Sequence, residues 1–162
     1  MRKIVNLNEG WTFDKNGQTA PEAVALPHTW NNMDGQDGGN DYERIQARYE
    51  KRLNILPPVT GERLYLEFQG VNSIADVAIN GTPVAHHEGG FSAFRSDITA
   101  LVTGADTITV RADNRANETV YPQFADFTFF GGIYRNVSPI RVPESHFTLE
   151  DHGGPGAAVL PR

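Results

Sequence analysis

Apolar residues in this chain recur at every second position and never in a sustained 3.6-residue stripe, and that period fixes the fold class. From Gln46 to Ile55, the side chains of Ala47, Tyr49, Leu53 and Ile55 share one face, with Lys51 the single charge among them. Arg48, Glu50, Arg52 and Asn54 share the other face. Leu64, Leu66 and Phe68 alternate with Arg63, Tyr65 and Glu67, and Ile108, Val110 and Ala112 alternate with Thr107, Thr109 and Arg111. Successive side chains on a strand point to opposite sides, so each pattern describes a strand with one buried and one wet face. Further strands are expected at Lys3–Leu7, Val24–Leu26, Ile133–Val142 and Phe147–Leu149, with at most a short helical turn at Ser96–Leu101.

The sharpest local signal is Asn80-Gly81 between the apolar runs Val77-Ala78-Ile79 and Thr82-Pro83-Val84. A two-residue type I′ turn needs φ > 0 at both central positions, which Asn and Gly supply. Pro83 donates no N–H, so this hairpin is expected near a sheet edge. Sixteen glycines and ten prolines among 162 residues suit a turn-rich chain. Eight or more short strands at this length predict an all-β sandwich, with a jelly roll ahead of an immunoglobulin-like sandwich.

With no cysteine, the chain forms no disulfide and no thiolate-ligated zinc site. Its formal charge of −6 repels phosphate backbones, which argues against a nucleic-acid partner. No run approaches the eighteen apolar residues of a membrane helix, so no membrane partner is expected. Apolar character after Met1-Arg2-Lys3 stops at Ile4-Val5, short of a leader peptide, so the expected location is the cytoplasm. No Gly-x-Ser-x-Gly elbow or phosphate-binding glycine loop occurs, and no cofactor is expected. His86-His87-Glu88 has metal-ligand residue types, but neighbours on a strand face opposite ways, which favours hydrogen bonding over chelation.

Two long irregular stretches, Asn31–Glu43 and Asn114–Gly132, are the candidate functional loops. The first carries Asp34, Asp37 and Asp41 with three glycines, which fits a calcium site, a solvated polar loop or a rim of a sugar pocket. It lacks the full aspartate alternation and terminal glutamate of an EF-hand, and no metal ligand is assigned. The second gathers Tyr121, Phe124, Phe127, Phe129 and Phe130 around Asp126. Aromatic faces stack on sugar C–H faces and carboxylates accept from sugar hydroxyls, so the mixture suits carbohydrate, while the same aromatics would equally serve as core.

Three segments, in order and spacing, resemble the N-terminal sugar-binding domain of glycoside hydrolase family 2, the β-galactosidase and β-glucuronidase family. They are Leu26-Pro27-His28-Thr29-Trp30-Asn31, the run from Gly70 to Gly81 with His87-Glu88-Gly89-Gly90-Phe91-Ser92-Ala93-Phe94, and Asp126-Phe127-Thr128-Phe129-Phe130-Gly131-Gly132-Ile133-Tyr134-Arg135. The resemblance implies a galactose-binding-domain-like jelly roll over residues 1–150. It also implies a linker and the start of a following immunoglobulin-like domain over 151–162, with a catalytic barrel beyond. In a retaining enzyme the barrel holds both catalytic carboxylates, about 5 Å apart, so no glutamate here is assigned a catalytic role and the chain alone is expected to be inactive.

The resemblance gives Asp126 the hydroxyls of the sugar in subsite −1, and gives the loop between Trp30 and Tyr49, with Asp37, Asn40 and Asp41, a place at the rim. The Gly89-Gly90 and Gly131-Gly132 pairs are expected to allow positive φ or close approach, and Arg135 is expected to anchor the loop through a carboxylate. The expected partner is a β-linked sugar, a galactoside first, held jointly with the parent's barrel domain; the oligomeric state of the parent stays open. An independent carbohydrate-binding module and a purely structural domain are the competing readings.

Overall fold

The computed structural model describes residues 3–17, 20–34, 43–121, 128–150, 153–154 and 156–157. Among these residues ten strands form: β1 (Lys3–Ile4), β2 (Trp11–Asp14), β3 (Glu22–Val24), β4 (Gln46–Leu53), β5 (Glu62–Phe68), β6 (Ile74–Ile79), β7 (Thr82–Glu88), β8 (Phe94–Asp97), β9 (Asp106–Asp113) and β10 (Val137–Pro143). They make a four-stranded sheet, β1-β10-β5-β8, and a six-stranded sheet, β3-β2-β4-β9-β6-β7, with every pairing antiparallel. Among the described residues there is no helix, and none long and apolar enough to cross a membrane. The two inner faces supply one core: Trp11, Phe13, Tyr49 and Leu53 from one side meet Leu64, Leu66 and Phe68 from the other. This is the sandwich that the two-residue period predicts.

The long alternating runs fall where expected, and Ala47, Tyr49, Val77, Ile79 and Val110 are all buried. Lys51, the charge on the apolar face of β4, leaves the core by donating to the Glu9 carbonyl and lies 6.0 Å from the Trp11 ring centroid. The hairpin is as read: Asn80 and Gly81 have φ of 50° and 80°, Ile79 faces Thr82, and β7 is the outer strand of its sheet. Pro83 sits beside a bulge, with Ala78 opposite Pro83 and Val77 opposite Ala85.

Several expectations are corrected. The strand expected at Val24–Leu26 lies earlier, at Glu22–Val24, and the one expected from Ile133 begins only at Val137. Residues 133–136 serve instead as the last leg of the second long loop. No strand forms at Phe147–Leu149, and Ser96–Leu101 is the end of β8 followed by a single turn closed by Leu101 N–H to the Ile98 carbonyl, 3.0 Å. Tyr65 and Glu67, expected on a wet face, are buried. Tyr65 packs with Ile140, Val142 and Leu149 in a second apolar cluster, because the chain after β10 folds back over the outer face of the smaller sheet.

Hairpin and core are tied at Asp106, a fully buried carboxylate at the start of β9. Asp106 Oδ1 accepts from Asn80 Nδ2 (2.8 Å) and Thr103 Oγ1 (2.7 Å), and Oδ2 accepts from the Thr103 and Gly104 amides (2.9 and 3.0 Å). Burial pushes this carboxyl up, but the hydrogen bonds from Asn80, Thr103 and Gly104 outweigh it and hold it below the usual range. A carboxyl depressed in the folded state stabilises the fold above its unfolded value, about 3.9, and that stability is lost as pH falls through the folded value. Thermal melts of the chain from neutral to strongly acid pH should therefore fall away below about pH 4, with a shallower acid limb in Asp106→Asn. An unchanged limb in that variant would assign the acid loss to other carboxylates.

Candidate functional site

The two long loops leave and re-enter the sandwich at one end, and their roots are bonded to each other. Asp37, Asn40, Asp41 and Asp126 lie outside the described residues, as do Phe124 and Phe127. What the structure defines is the frame that brackets them, Asp34 and Glu43 on one loop, Tyr121 and Thr128 on the other.

The first loop is closed at its base. Asp34 Oδ2 accepts the Glu43 amide at 2.6 Å, and Lys15 Nζ holds both Glu43 carboxylate oxygens, at 2.7 and 2.8 Å. The Glu43 carbonyl accepts from Trp30 Nε1 and from Asn114 Nδ2, each at 3.0 Å. Asn114, buried at the end of β9, also accepts the Ile45 amide on Oδ1 at 2.8 Å, so the strand that launches the second loop grips the return of the first. Both carboxylates, Asp34 and Glu43, are thus used as structural acceptors. No acid and nucleophile pair stands free among the described residues of this frame.

Asn31 joins the loops from the other side. Its Oδ1 accepts from the Gly131 amide and from Thr29 Oγ1, each at 2.7 Å, and its Nδ2 donates to the Phe129 carbonyl at 2.9 Å. Thr128 Oγ1 adds a longer bond to the Asp34 carbonyl, 3.4 Å. Beneath this clamp, Gly132 pairs with Asn72 through both backbone bonds, and the His28 amide donates to the Ile133 carbonyl. The glycine pair is a backbone device, as expected. A Cβ on Gly131 would stand 2.5 Å from Trp30 Cζ2, and one on Gly132, at φ 108°, 2.4 Å from the Tyr49 hydroxyl.

That hydroxyl and His28 Nδ1 are 2.8 Å apart under the loop roots. Burial lowers the His28 pKa, against an opposing pull from Glu22, and burial raises the Tyr49 hydroxyl. Both are therefore neutral at neutral pH, a polar but uncharged floor. Tyr121 is 77% exposed and Phe130 43% exposed, which removes the core reading for these two aromatics. Met33, on the first loop, is likewise exposed.

Two other expectations come out differently from each other. Arg135 anchors the loop by donating to the Gln69 and Phe91 carbonyls (3.3 and 3.0 Å), with no carboxylate partner among the described residues. Its guanidinium stands 5.1 Å from the Tyr134 ring, and the Tyr134 hydroxyl donates to the Gly90 carbonyl. His86 and His87 do part to opposite faces. His86 bonds Asp76 and Glu88 (2.7 and 3.3 Å), while His87 stacks on Phe94 at 4.3 Å. No group of three or more potential metal ligands gathers among the described residues. Sequence reasoning gave no role to Asn31 or Asn114; the visible sign was an asparagine directly after the tryptophan in His28-Thr29-Trp30-Asn31.

Residues 31–151 match the family described as glycosyl hydrolase 2 galactose-binding domain-like. The chain is 42% identical over 98% of its length to a β-glucuronidase of Bacteroides fragilis, covering 24% of that protein. It is 31% identical over 82% of its length to a β-galactosidase of Thermoanaerobacter pseudethanolicus, covering 18% of it. Among solved structures, an FMN-binding β-glucuronidase from Faecalibacterium prausnitzii superposes with a TM-score of 0.88 at 46% identity, covering 96% of this chain and 25% of that one. The chain thus spans about a quarter or less of the relatives it matches. Two antiparallel sheets, the glycine pairs at the loop roots and a family match over most of the length place this chain in the glycoside hydrolase family 2 galactose-binding-domain-like family.

Proposed function

We propose that this chain is the non-catalytic N-terminal domain of a retaining β-glycosidase and lends its two long loops to the rim of the active-site pocket. In that reading residues 1–150 are the jelly roll and 151–162 lead into an immunoglobulin-like domain. Asp126 takes hydroxyls of the sugar in subsite −1, and Asp37, Asn40 and Asp41 line the rim. The observation that carries the reading is the convergence of both loop roots on Asn31, Asn114 and Glu43 at one end of the sandwich. Sequence alone favours a galactoside. The relatives at 42% and 46% identity carry the name β-glucuronidase, which puts a β-glucuronide first and a β-galactoside second.

The test uses the full-length hydrolase and this chain side by side, with nitrophenyl β-glucuronide and β-galactoside. The isolated chain is expected to show no turnover, because retaining hydrolysis needs a carboxylate pair that a single rim domain does not supply. In the full-length enzyme, Asp126→Ala should lower kcat/KM at least about tenfold, roughly 1.4 kcal/mol, through the lost charge-assisted bond to a sugar hydroxyl. Normal kinetics with a lowered melting point would make Asp126 a loop anchor instead. Millimolar sugar binding by the isolated chain would favour an independent binding module.

A further inference from the structure

We propose that Asn31 is the positioning residue of this rim: one buried carboxamide fixes the roots of both loops in a single mutual arrangement, so neither root can shift without the other. The inference rests on the pocket-rim reading above. Asn31 is 1% exposed, and its side chain can sit only one way. The Gly131 N–H must face an oxygen and the Phe129 carbonyl must face an N–H, while the Thr29 hydroxyl donates to that same oxygen. Exchanging the two ends would set an N–H against the Gly131 N–H and an oxygen against the Phe129 carbonyl, which buried polar groups do not tolerate. The residue's own carbonyl accepts the Asp34 amide at 3.3 Å, and Asp34 accepts the Glu43 amide, so the lock on Gly131 runs through to the return of the first loop. Through these bonds Asn31 acts on the ends of both loops.

The first arm of the test uses this chain and amide hydrogen exchange. Asn31→Ala should speed exchange at least about tenfold at Gly131, the direct partner, and also at Glu43, two bonds away, while Val110 in β9 keeps its protection. Faster exchange at Gly131 with Glu43 unchanged would overturn the coupling. The second arm uses the full-length hydrolase on nitrophenyl β-glucuronide and β-galactoside, with Asn31→Ala, Asn31→Asp, Asp126→Ala and the core variant Val77→Ala as a destabilised control. Asn31→Ala should lose at least about tenfold in kcat/KM at a temperature where it is fully folded, and Val77→Ala should lose nothing there.

Asn31→Asp keeps Oδ1 for Gly131 and Thr29 but sets a carboxylate oxygen against the Phe129 carbonyl. Protonation turns that oxygen into a donor, so its kcat/KM should recover towards wild type as the pH falls. The neighbouring Lys15, His28, Asp34 and Glu43 are common to both proteins, and the difference between the two profiles isolates the new carboxyl. Impaired Asp126→Ala with wild-type kinetics in both Asn31 variants would overturn the positioning role alone. Impaired Asn31 variants with a silent Asp126→Ala would keep Asn31 and remove Asp126 from the site. Wild-type kinetics in all of them would overturn both readings.

Discussion

Gly132→Ala is expected to destabilise the chain by about 3–5 kcal/mol, lowering the melting temperature by roughly 10 °C. Two separate penalties act there. At φ 108° a Cβ is strained whatever surrounds it, by about 1–2 kcal/mol. The same Cβ would also stand 2.4 Å from the Tyr49 hydroxyl, 3.0 Å from the His28 carbonyl and 3.2 Å from Trp30 Cζ3. Tyr49 is fully buried, packed on Phe13 at 5.0 Å and bonded to His28, so it has nowhere to retreat. Gly81→Ala separates the two penalties. Its φ is 80°, yet nothing lies within 4 Å of the added carbon, so it should show the conformational penalty alone, about 1–2 kcal/mol. Equal melting points for the two variants would mean that close approach is not what demands glycine at 132.

Why some of this was legible and some was not follows from the range of each signal. Strands β4, β5 and β9 run seven or eight residues, long enough for the two-residue period to show through. Strands β2 and β8 run only four residues: Trp11 and Phe13 alternate with Thr12 and Asp14 over too short a run to stand out, and β8 turns a serine inward at Ser96. The Asn80-Gly81 turn depends on its own two φ angles and is local; the glycine pairs are nearly so. The polar clamp of the site is different in kind. Asn31 meets Gly131 across 100 positions of sequence and Asn114 meets Glu43 across 71, and an asparagine carries no mark of what it will face. Tyr65 and Glu67 fail for the same reason: alternation assigns them to water, and only the folded chain shows the segment after β10 lying over them.

That covering segment leads to the second large effect, at the Glu67–Arg95 pair. Arg95 Nε lies 2.5 Å from Glu67 Oε2, both side chains are only 9% exposed, and Nη1 donates to the Leu149 and Gly154 carbonyls at 3.3 and 2.9 Å. Removing one partner of a buried pair leaves the other charge without its counterion, which typically costs about 3–5 kcal/mol. Glu67→Ala should therefore melt far below wild type, since two neutral carbonyls do not replace a carboxylate.

Replacing both partners with apolar residues of similar length, Glu67→Leu with Arg95→Met, should recover most of that loss, because a buried pair and its apolar substitute are close in free energy. What the double variant should not recover is the covering segment. With Arg95 gone, the Leu149 and Gly154 carbonyls lose their donor, and amide exchange over 144–150 should stay fast although the melting point has returned. Slow exchange there in the double variant would show that the apolar cluster of Tyr65, Ile140, Val142 and Leu149 holds the segment by itself, and that Arg95 serves the sheet rather than the strap laid over it.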